Sequence, residues 1–386
     1  MRKLAIFLAL IYSATAYSQT IQLSDQTEVS VLTCGPTQEE LYSAFGHSAF
    51  HISDPNTGID EVYNYGVFDF NQPNFYLNFT RGHLNYQLGV HDFQLFRDHY
   101  IAHNRYIHEQ VLNLTQEQKQ KVYDFLQWNA KPENEHYFYD YFYDNCATKM
   151  RDVILKVFGN DVTFDGSYIK TDYTIRQLTD IYLKQQPWGD LGIDICLGLP
   201  MDKKASPLEY MFLPDYVESG FNHATIKKGD TTVPLVKETI SVYESREIEP
   251  DPSLPNPVYF FSALAVMAII LAIYDFKRKK ISTWFDAILF TVVGLIGTLL
   301  LFLWVATDHK AAADNLNILW ALPTHLIAAI AFIKQPAWLK KYFLTSTAIT
   351  VFVLVMWPIL PQLLHYALIP VVIALAIRSF VQYRLR

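Results

Sequence analysis

The chain is short of cysteine, of cationic charge and of internal repeats. Its 386 residues hold three cysteines, Cys34, Cys146 and Cys196. So sparse and odd a set excludes a disulfide framework, and neither paired cysteines nor clustered histidines give a metal-ligand spacing. No metal and no cofactor is expected. At most one pair of thiols can bridge, which leaves at least one to be buried or used. Lys and Arg total 31 against 38 Asp and Glu, a net charge of −7. That balance argues against nucleic acid as a partner. Long apolar runs are missing from most of the chain up to Pro257, which is rich in Tyr, Phe, Asp and Asn.

What is present is unevenly placed. The chain is too long for one ordinary domain. Met1-Arg2-Lys3, an apolar stretch from Leu4 to Ile11 and small or polar residues to Ser18 read as a signal peptide over 1–18. Cleavage would follow Ala16 or Ser18; an uncleaved anchor is the alternative. No cysteine stands at the cleavage site, so the protein is not itself a lipoprotein. Residues 19–246 then form an exported domain. Residues 247–257, with four prolines and three acidic residues, read as an extended, semi-rigid tether. From 258 to 386 five apolar stretches follow, at about 258–275, 284–305, 317–333, 343–360 and 366–380, each near the ~20 residues a bilayer requires. The last two are separated only by residues 361–365, so a tight hairpin or one interfacial segment is the alternative there. The bundle's basic residues cluster at Lys277–Lys280, at Lys334, Lys340 and Lys341, and at Arg378, Arg384 and Arg386; the intervening loops carry only Lys310. If 19–257 is exported, all three clusters fall in the cytoplasm. The expectation is a multi-pass inner-membrane protein with a periplasmic N-terminal domain and a cytoplasmic C-terminus.

Within the exported domain the pattern is α+β with a small antiparallel sheet. Strands are expected at Thr27–Cys34, His47–Ile52, Glu61–Phe68, Leu84–Val90 and Arg105–Leu114. The second and third would form a hairpin across Asp54-Pro55-Asn56-Thr57-Gly58. Helices are expected at Pro36–Phe45, Phe75–Gly82 and Phe93–Tyr100. Thr115 caps another to Asn129, with Gln118 completing a capping box, and one more runs from Asn145 to Phe158.

Two places carry chemistry. Asp144-Asn145-Cys146 puts a thiol in the first turn of a helix, where the partial positive charge favours a thiolate. Gly46-His47-Ser48-Ala49-Phe50-His51 puts His47 at the start of a strand, after a glycine that permits close approach and beside small Ala49. His47 and His51 share one strand face. Each residue alone reads as an ordinary buried thiol or a satisfied histidine. Together they read as nucleophile and base.

The chain resembles a known family at these points. A histidine-bearing strand followed much later by Asn145-Cys146 at a helix start is similar to the circularly permuted papain-like (NlpC/P60-type) thiol enzymes. More closely, the chain resembles the DUF4105 family of Bacteroidota, which includes Lnb-type apolipoprotein N-acyltransferases. The matching residues are Gly46–Ala49, Tyr63–Gly66, Phe68–Phe70, Arg81-Gly82 with Tyr86, Tyr143–Thr148, Asp308-His309, and Asn315–Trp320 with Pro323. The resemblance implies transfer of a fatty acyl chain from a membrane phospholipid, through a Cys146 thioester, to the N-terminal amine of a diacylglyceryl-cysteine lipoprotein. His47 would shuttle protons, and Asn64, or failing that His51, would orient it. Arg81 is a candidate for the lipid phosphate and Asn145 for a contact beside the thiol. His309, Asn315 and Asn317 are candidates for a polar outer loop that completes the site. Two alternatives stay open: a membrane-anchored cysteine peptidase or amidase acting on cell-wall peptides, and a non-enzymatic envelope assembly protein.

Overall fold

The chain is described from a computed structural model, over residues 21–69, 71–246 and 254–386. The expected signal peptide and residues 247–253 of the expected tether lie outside these residues. Among the described residues ten strands are present: Glu28–Cys34 (β1), His47–Asp54 (β2), Ile59–Val67 (β3), Leu84–Asp92 (β4), Ile107–Leu112 (β5), His136–Tyr139 (β6), Val162–Phe164 (β7), Ala224–Lys228 (β8), Thr231–Pro234 (β9) and Val236–Tyr243 (β10). Seven form one sheet in the order β10-β5-β1-β2-β3-β4-β6, and β7-β8-β9 form a second. The architecture is a mixed α/β domain followed by a helical bundle. The main sheet is larger than the sequence implied: β6 and β10 join it at its two edges.

Alternation along the central strands assigns the two faces. Val29, Val31, Phe50, Ile52, Tyr63 and Tyr65 pack under the helices Gln116–Asn129 and Cys146–Phe158. Leu32, Cys34, Ala49 and Val62 face the other way, under the Phe93–Ala102 helix. The pairing of Cys34 with His47 and of Phe50 with Tyr63 fixes this division, since a slip of one residue would exchange the faces. Thr115 caps its helix as expected: its hydroxyl accepts from Gln118 N at 3.2 Å, and Gln118 Oε1 accepts from Thr115 N at 2.9 Å. Pro36–Phe45 does not become an α-helix; only a 3-10 turn, Leu41–Phe45, forms there.

Short helices at Ile175–Tyr182, Pro187–Cys196 and Pro214–Asn222 follow the sheet. The stretch from Asp190 to Asp202 seats the domain on the bundle. Arg176, fully buried, holds it from within through Asp194, Asp202 and the carbonyls of Leu197 and Gly198. Gly198 N donates to Ala311 O at 2.7 Å, Gln362 Nε2 to Leu197 O at 3.0 Å, and Leu363 N to Asp202 Oδ1 at 2.9 Å.

Among the described residues four helices are long and apolar enough to cross a membrane: Pro257–Arg278, Thr283–Ala306, Trp338–Ile359 and Tyr366–Leu385. The last two are separate antiparallel helices. The third expected span, 317–333, is not one helix. It opens with a 3-10 turn, Leu316–Leu319, and resumes only as Thr324–Ala331, because Pro323 withholds a backbone donor and restricts the residue before it. The segment still runs the depth of the bundle. Its start is held by the domain, through Asn315 Nδ2 and Ile195 O at 2.8 Å, and Phe332 near its end lies 5.4 Å under the guanidinium of Arg386. Gly297 of the neighbouring span makes room for it, since a Cβ there would sit 1.7 Å from Ala321 O.

Arg378 does not lie in a terminal basic cluster as expected. It is fully buried in the bundle, bonded to Asp286 at 2.5 and 2.9 Å and to Asp275 at 2.8 Å. Arg378→Leu therefore leaves two buried carboxylates facing each other. The expected loss is about 3–5 kcal/mol, read as a lowered unfolding midpoint of the purified protein in detergent. Replacing Asp286 and Asp275 by Leu and Asn in the same variant should recover most of it.

Candidate functional site

Cys146 opens its helix because Asn145 and Thr148 cap it reciprocally. Asn145 Oδ1 accepts from Thr148 N at 2.9 Å, and Thr148 Oγ1 accepts from Asn145 N at 2.8 Å. Asn145 Nδ2 is spent on the carbonyls of Tyr141 and Phe212. The cap is thereby locked, and the side chain proposed to touch substrate is fully occupied in aiming the thiol. Asp144 is not the cap; it pairs with Lys149 at 2.6 Å.

His47 reaches the same point from the sheet. Gly46 precedes it with φ +81°, and a Cβ at Gly46 would stand 2.8 Å from Cys34 O, so the chain can enter β2 here only as glycine. The imidazole hydrogen-bonds the Cys146 thiol, and its Nε2 lies 2.7 Å from Asn64 Oδ1. An amide oxygen only accepts, so Nε2 carries the hydrogen and Nδ1 is the nitrogen left to take a proton. Asn64 stands on β3 where the register brings it to the His47 side of the sheet. Phe96 and Tyr100 flank the ring at 6.4 Å each.

Electrostatics separate the three thiols. Burial works to raise the Cys146 pKa. The His47 charge and hydrogen bond oppose it, with the backbone N–H groups of Ser48 and Ala147, and the net direction is down. Burial works to lower the His47 pKa, but the Cys146 charge and hydrogen bond, with Asn64, carry it up. The two shifts run in the directions that proton transfer from Cys146 to His47 requires. Burial pushes Cys34 up to about 12 and also raises Cys196, so neither is a nucleophile at neutral pH.

Cys146 and His47 line a cavity of about 260 Å³. Of its eighteen lining residues nine are Phe or Tyr, among them Tyr42, Phe68, Tyr86 and Tyr139, and none is Asp or Glu. Arg105 is part of the wall and was not legible in the sequence: a lone arginine before a strand carries no signal of its own. No group of three or more His, Cys, Asp or Glu among the described residues could hold a metal ion.

The remaining sequence candidates do not meet at this cavity. His51 is clamped between Glu109 at 2.7 Å and Asp60 at 2.9 Å, stacked on Phe93 at 3.9 Å; it cannot orient His47. Arg81 is exposed and engages the bundle through its carbonyl, which accepts from Asp308 N at 2.9 Å. His309 Nε2 meets Phe79 O at 3.1 Å. Asn315 and Asn317 are buried, both donating to Ile195 O, and Asn317 Oδ1 also accepts from Trp320 Nε1 at 2.9 Å. These four hold the domain to the bundle and do not line the thiol cavity, because the loop that carries three of them ends in the seam between the two parts.

A capped thiol facing an amide-oriented histidine, seated on a membrane-spanning bundle, defines a class: membrane proteins with a Cys-His-Asn constellation in an extramembranous domain. The family within it follows from sequence. Residues 13–180 match the family model of the Lnb N-terminal periplasmic domain, and residues 249–386 match that of the Lnb transmembrane domain. The chain belongs to the Lnb-type family, and its N-terminal domain is periplasmic. No curated protein and no solved structure matches it.

The ion pair predicts a pH profile. Alkylation of Cys146 by iodoacetamide should keep its rate well below the ordinary thiol range and fall as the thiolate is protonated. In His47→Gln the midpoint should move upward, since only the backbone N–H groups of Ser48 and Ala147 then oppose burial. Asn64→Ala should move it less. An unshifted midpoint in His47→Gln, read by intact mass over a pH series, would show that the two side chains are not coupled.

Proposed function

We propose that the protein is a lipoprotein N-acyltransferase of the inner membrane, using Cys146 as nucleophile, His47 as base and acid, and Asn64 to orient His47. The observation that carries this reading is the Cys146–His47 pair, with Asn64 behind it, in an aromatic cavity on a domain tied to a membrane bundle. In the first half-reaction the Cys146 sulfur attacks an ester carbonyl of a phospholipid. The C–S bond forms, the C–O bond breaks, and His47 gives its proton to the departing lysophospholipid. In the second, the N-terminal amine of a diacylglyceryl-cysteine lipoprotein attacks the thioester. The C–N bond forms, the C–S bond breaks, and His47 takes the amine proton. Ser48 N–H and Ala147 N–H, which face the sulfur, are suited to hold charge on the carbonyl oxygen.

A lipid substrate suits the surface around the cavity. The Phe75–Arg81 helix leads from Phe68, in the cavity wall, to the outer end of the Thr283–Ala306 span, where His83 meets Asp308 at 2.5 Å. It leaves Tyr76 75% and Leu77 57% exposed, and the span it packs against leaves Trp304 and Val305 exposed. Such a surface fits the headgroup–acyl boundary of a bilayer. In this reading the C-terminus is cytoplasmic. The contacts of Phe276 with Phe380, Lys340 with Tyr383 and Arg386 with Phe332 gather the basic segments at one end of the bundle, while Lys310 lies at the other. The order of the site, histidine first and cysteine much later, supports kinship with the permuted papain-like thiol enzymes.

The test is incubation of the purified full-length protein with phospholipid, then with a diacylated lipopeptide. An acyl mass should appear on Cys146 and move to the lipopeptide amine. Cys146→Ala should abolish both steps, and His47→Gln should slow them about 10²–10⁴-fold, whereas Cys34→Ala and Cys196→Ala should keep them. Transfer that persists in Cys146→Ala, or hydrolysis of a peptide bond with no acyl mass on Cys146, would refute the assignment.

A further inference from the structure

Three arginines are buried in the described fold, and two of them are paid in kind. Arg176 is held by Asp194 and Asp202, and Arg378 by Asp286 and Asp275. Arg105 is 8% exposed and has no carboxylate partner among the described residues. Its Nε donates to Gly35 O at 2.6 Å, and its Cζ lies 4.5 Å over the ring of Tyr100. These contacts fix the plane of the guanidinium and leave its charge uncompensated. A buried charge without a counterion is costly, and a chain that pairs its other two buried arginines doubly has the means to avoid it.

The place of this charge gives it meaning. Arg105 is in the wall of the Cys146 cavity, among lining residues that include His47 and His99 but no Asp or Glu. When the proton of Cys146 rests on His47, thiolate and imidazolium cancel, and Arg105 leaves the cavity with one net positive charge. That is unusual ground in a chain with seven more acidic than basic residues. Both terminal nitrogens of a guanidinium held by Nε and by its face remain free to bind two oxygens of one group.

We infer that Arg105 is an anion subsite of the Cys146 cavity and binds the phosphodiester of a glycerophospholipid donor. This rests on the acyl-transfer reading above and names the part of the donor that is recognised. The phosphodiester carries one negative charge and is joined through glycerol to the ester that Cys146 attacks. Holding it at Arg105 orients the ester at the sulfur while the aromatic walls receive the apolar remainder. The role that the sequence suggested for Arg81 thus falls to a residue inside the cavity.

The experiment uses full-length protein in detergent and two donors with identical short acyl chains, a diacylglycerophosphocholine and the corresponding diacylglycerol. Cys146 acylation is followed by intact mass. Arg105→Gln should slow acylation by the phospholipid ~10- to 100-fold more than it slows acylation by diacylglycerol, the worth of a lost charge-assisted hydrogen bond. Arg105→Lys should fall between. Equal slowing with both donors, or no slowing with either, overturns the subsite; an unchanged unfolding midpoint in the variant shows that the comparison is sound. If neither donor acylates the native protein, the acyl-transfer reading fails by itself, and the subsite is judged by protection of Cys146 from iodoacetamide. Protection by glycerophosphocholine that is lost in Arg105→Gln upholds it. Protection by a short peptide carboxylate alone, or by neither, overturns it.

Discussion

The site depends on one constraint: a thiol at the start of a buried helix can give up its proton only where fixed neighbours offset burial, which opposes charge. Asn145 makes this feasible. Its oxygen caps Thr148 N and its nitrogen is held by two carbonyls, so the helix start cannot fray and the thiol cannot turn away. The thiolate then has a fixed neighbour in His47 and backbone donors from Ser48 and Ala147. Ser48 N–H belongs to the strand that also carries His47. The pairing of β2 with β1 therefore delivers the base and a donor to the sulfur in a single act of register.

The second dependence runs through the seam between domain and bundle. Arg176, itself buried, fastens the stretch that presents carbonyls to Asn315, Asn317 and Gln362. A backbone segment bonded from both sides resists sliding, because each displacement leaves several buried polar groups unmet. The domain is thereby carried at a set height above the bundle, where the exposed face of the Phe75–Arg81 helix continues the apolar surface of a span.

Much of this was legible because it is written locally. Capping grammar at Thr115 and at Asn145, alternation along β2 and the apolar runs of the C-terminal part each depend on residues close in sequence. The Asn64 contact was legible for a related reason: a hairpin turn fixes which residues of β3 can lie beside His47. The rest is set by pairings across long separations. Asn315 and Asn317 looked like a loop at a helix mouth, and only their meeting with Ile195 reveals a seam. Arg378 looked like part of a basic terminus, although two aspartates about a hundred residues away draw it into the bundle. The broken third span had a local signal in Pro323, which the apolar average over 317–333 concealed.

The broken span and the intact site share a physical logic. A helix of eight residues within the bundle leaves backbone polar groups that lipid cannot satisfy, so the segment must be wrapped by protein. Gly297 supplies the close approach, and Asn317, buried at its head, accepts from Trp320 Nε1 and anchors to the periplasmic domain. The element least able to stand alone in a bilayer is thus the one fastened to the domain that carries Cys146. The two parts exchange hydrogen bonds: the domain's Ile195 and Cys196 carbonyls, at a helix end, take donors from Asn315 and Asn317 of the bundle, and the bundle's Leu363 N finds its acceptor in Asp202 of the domain. Each completes the other's hydrogen bonds. That mutual completion sets where the thiol cavity stands relative to the bundle.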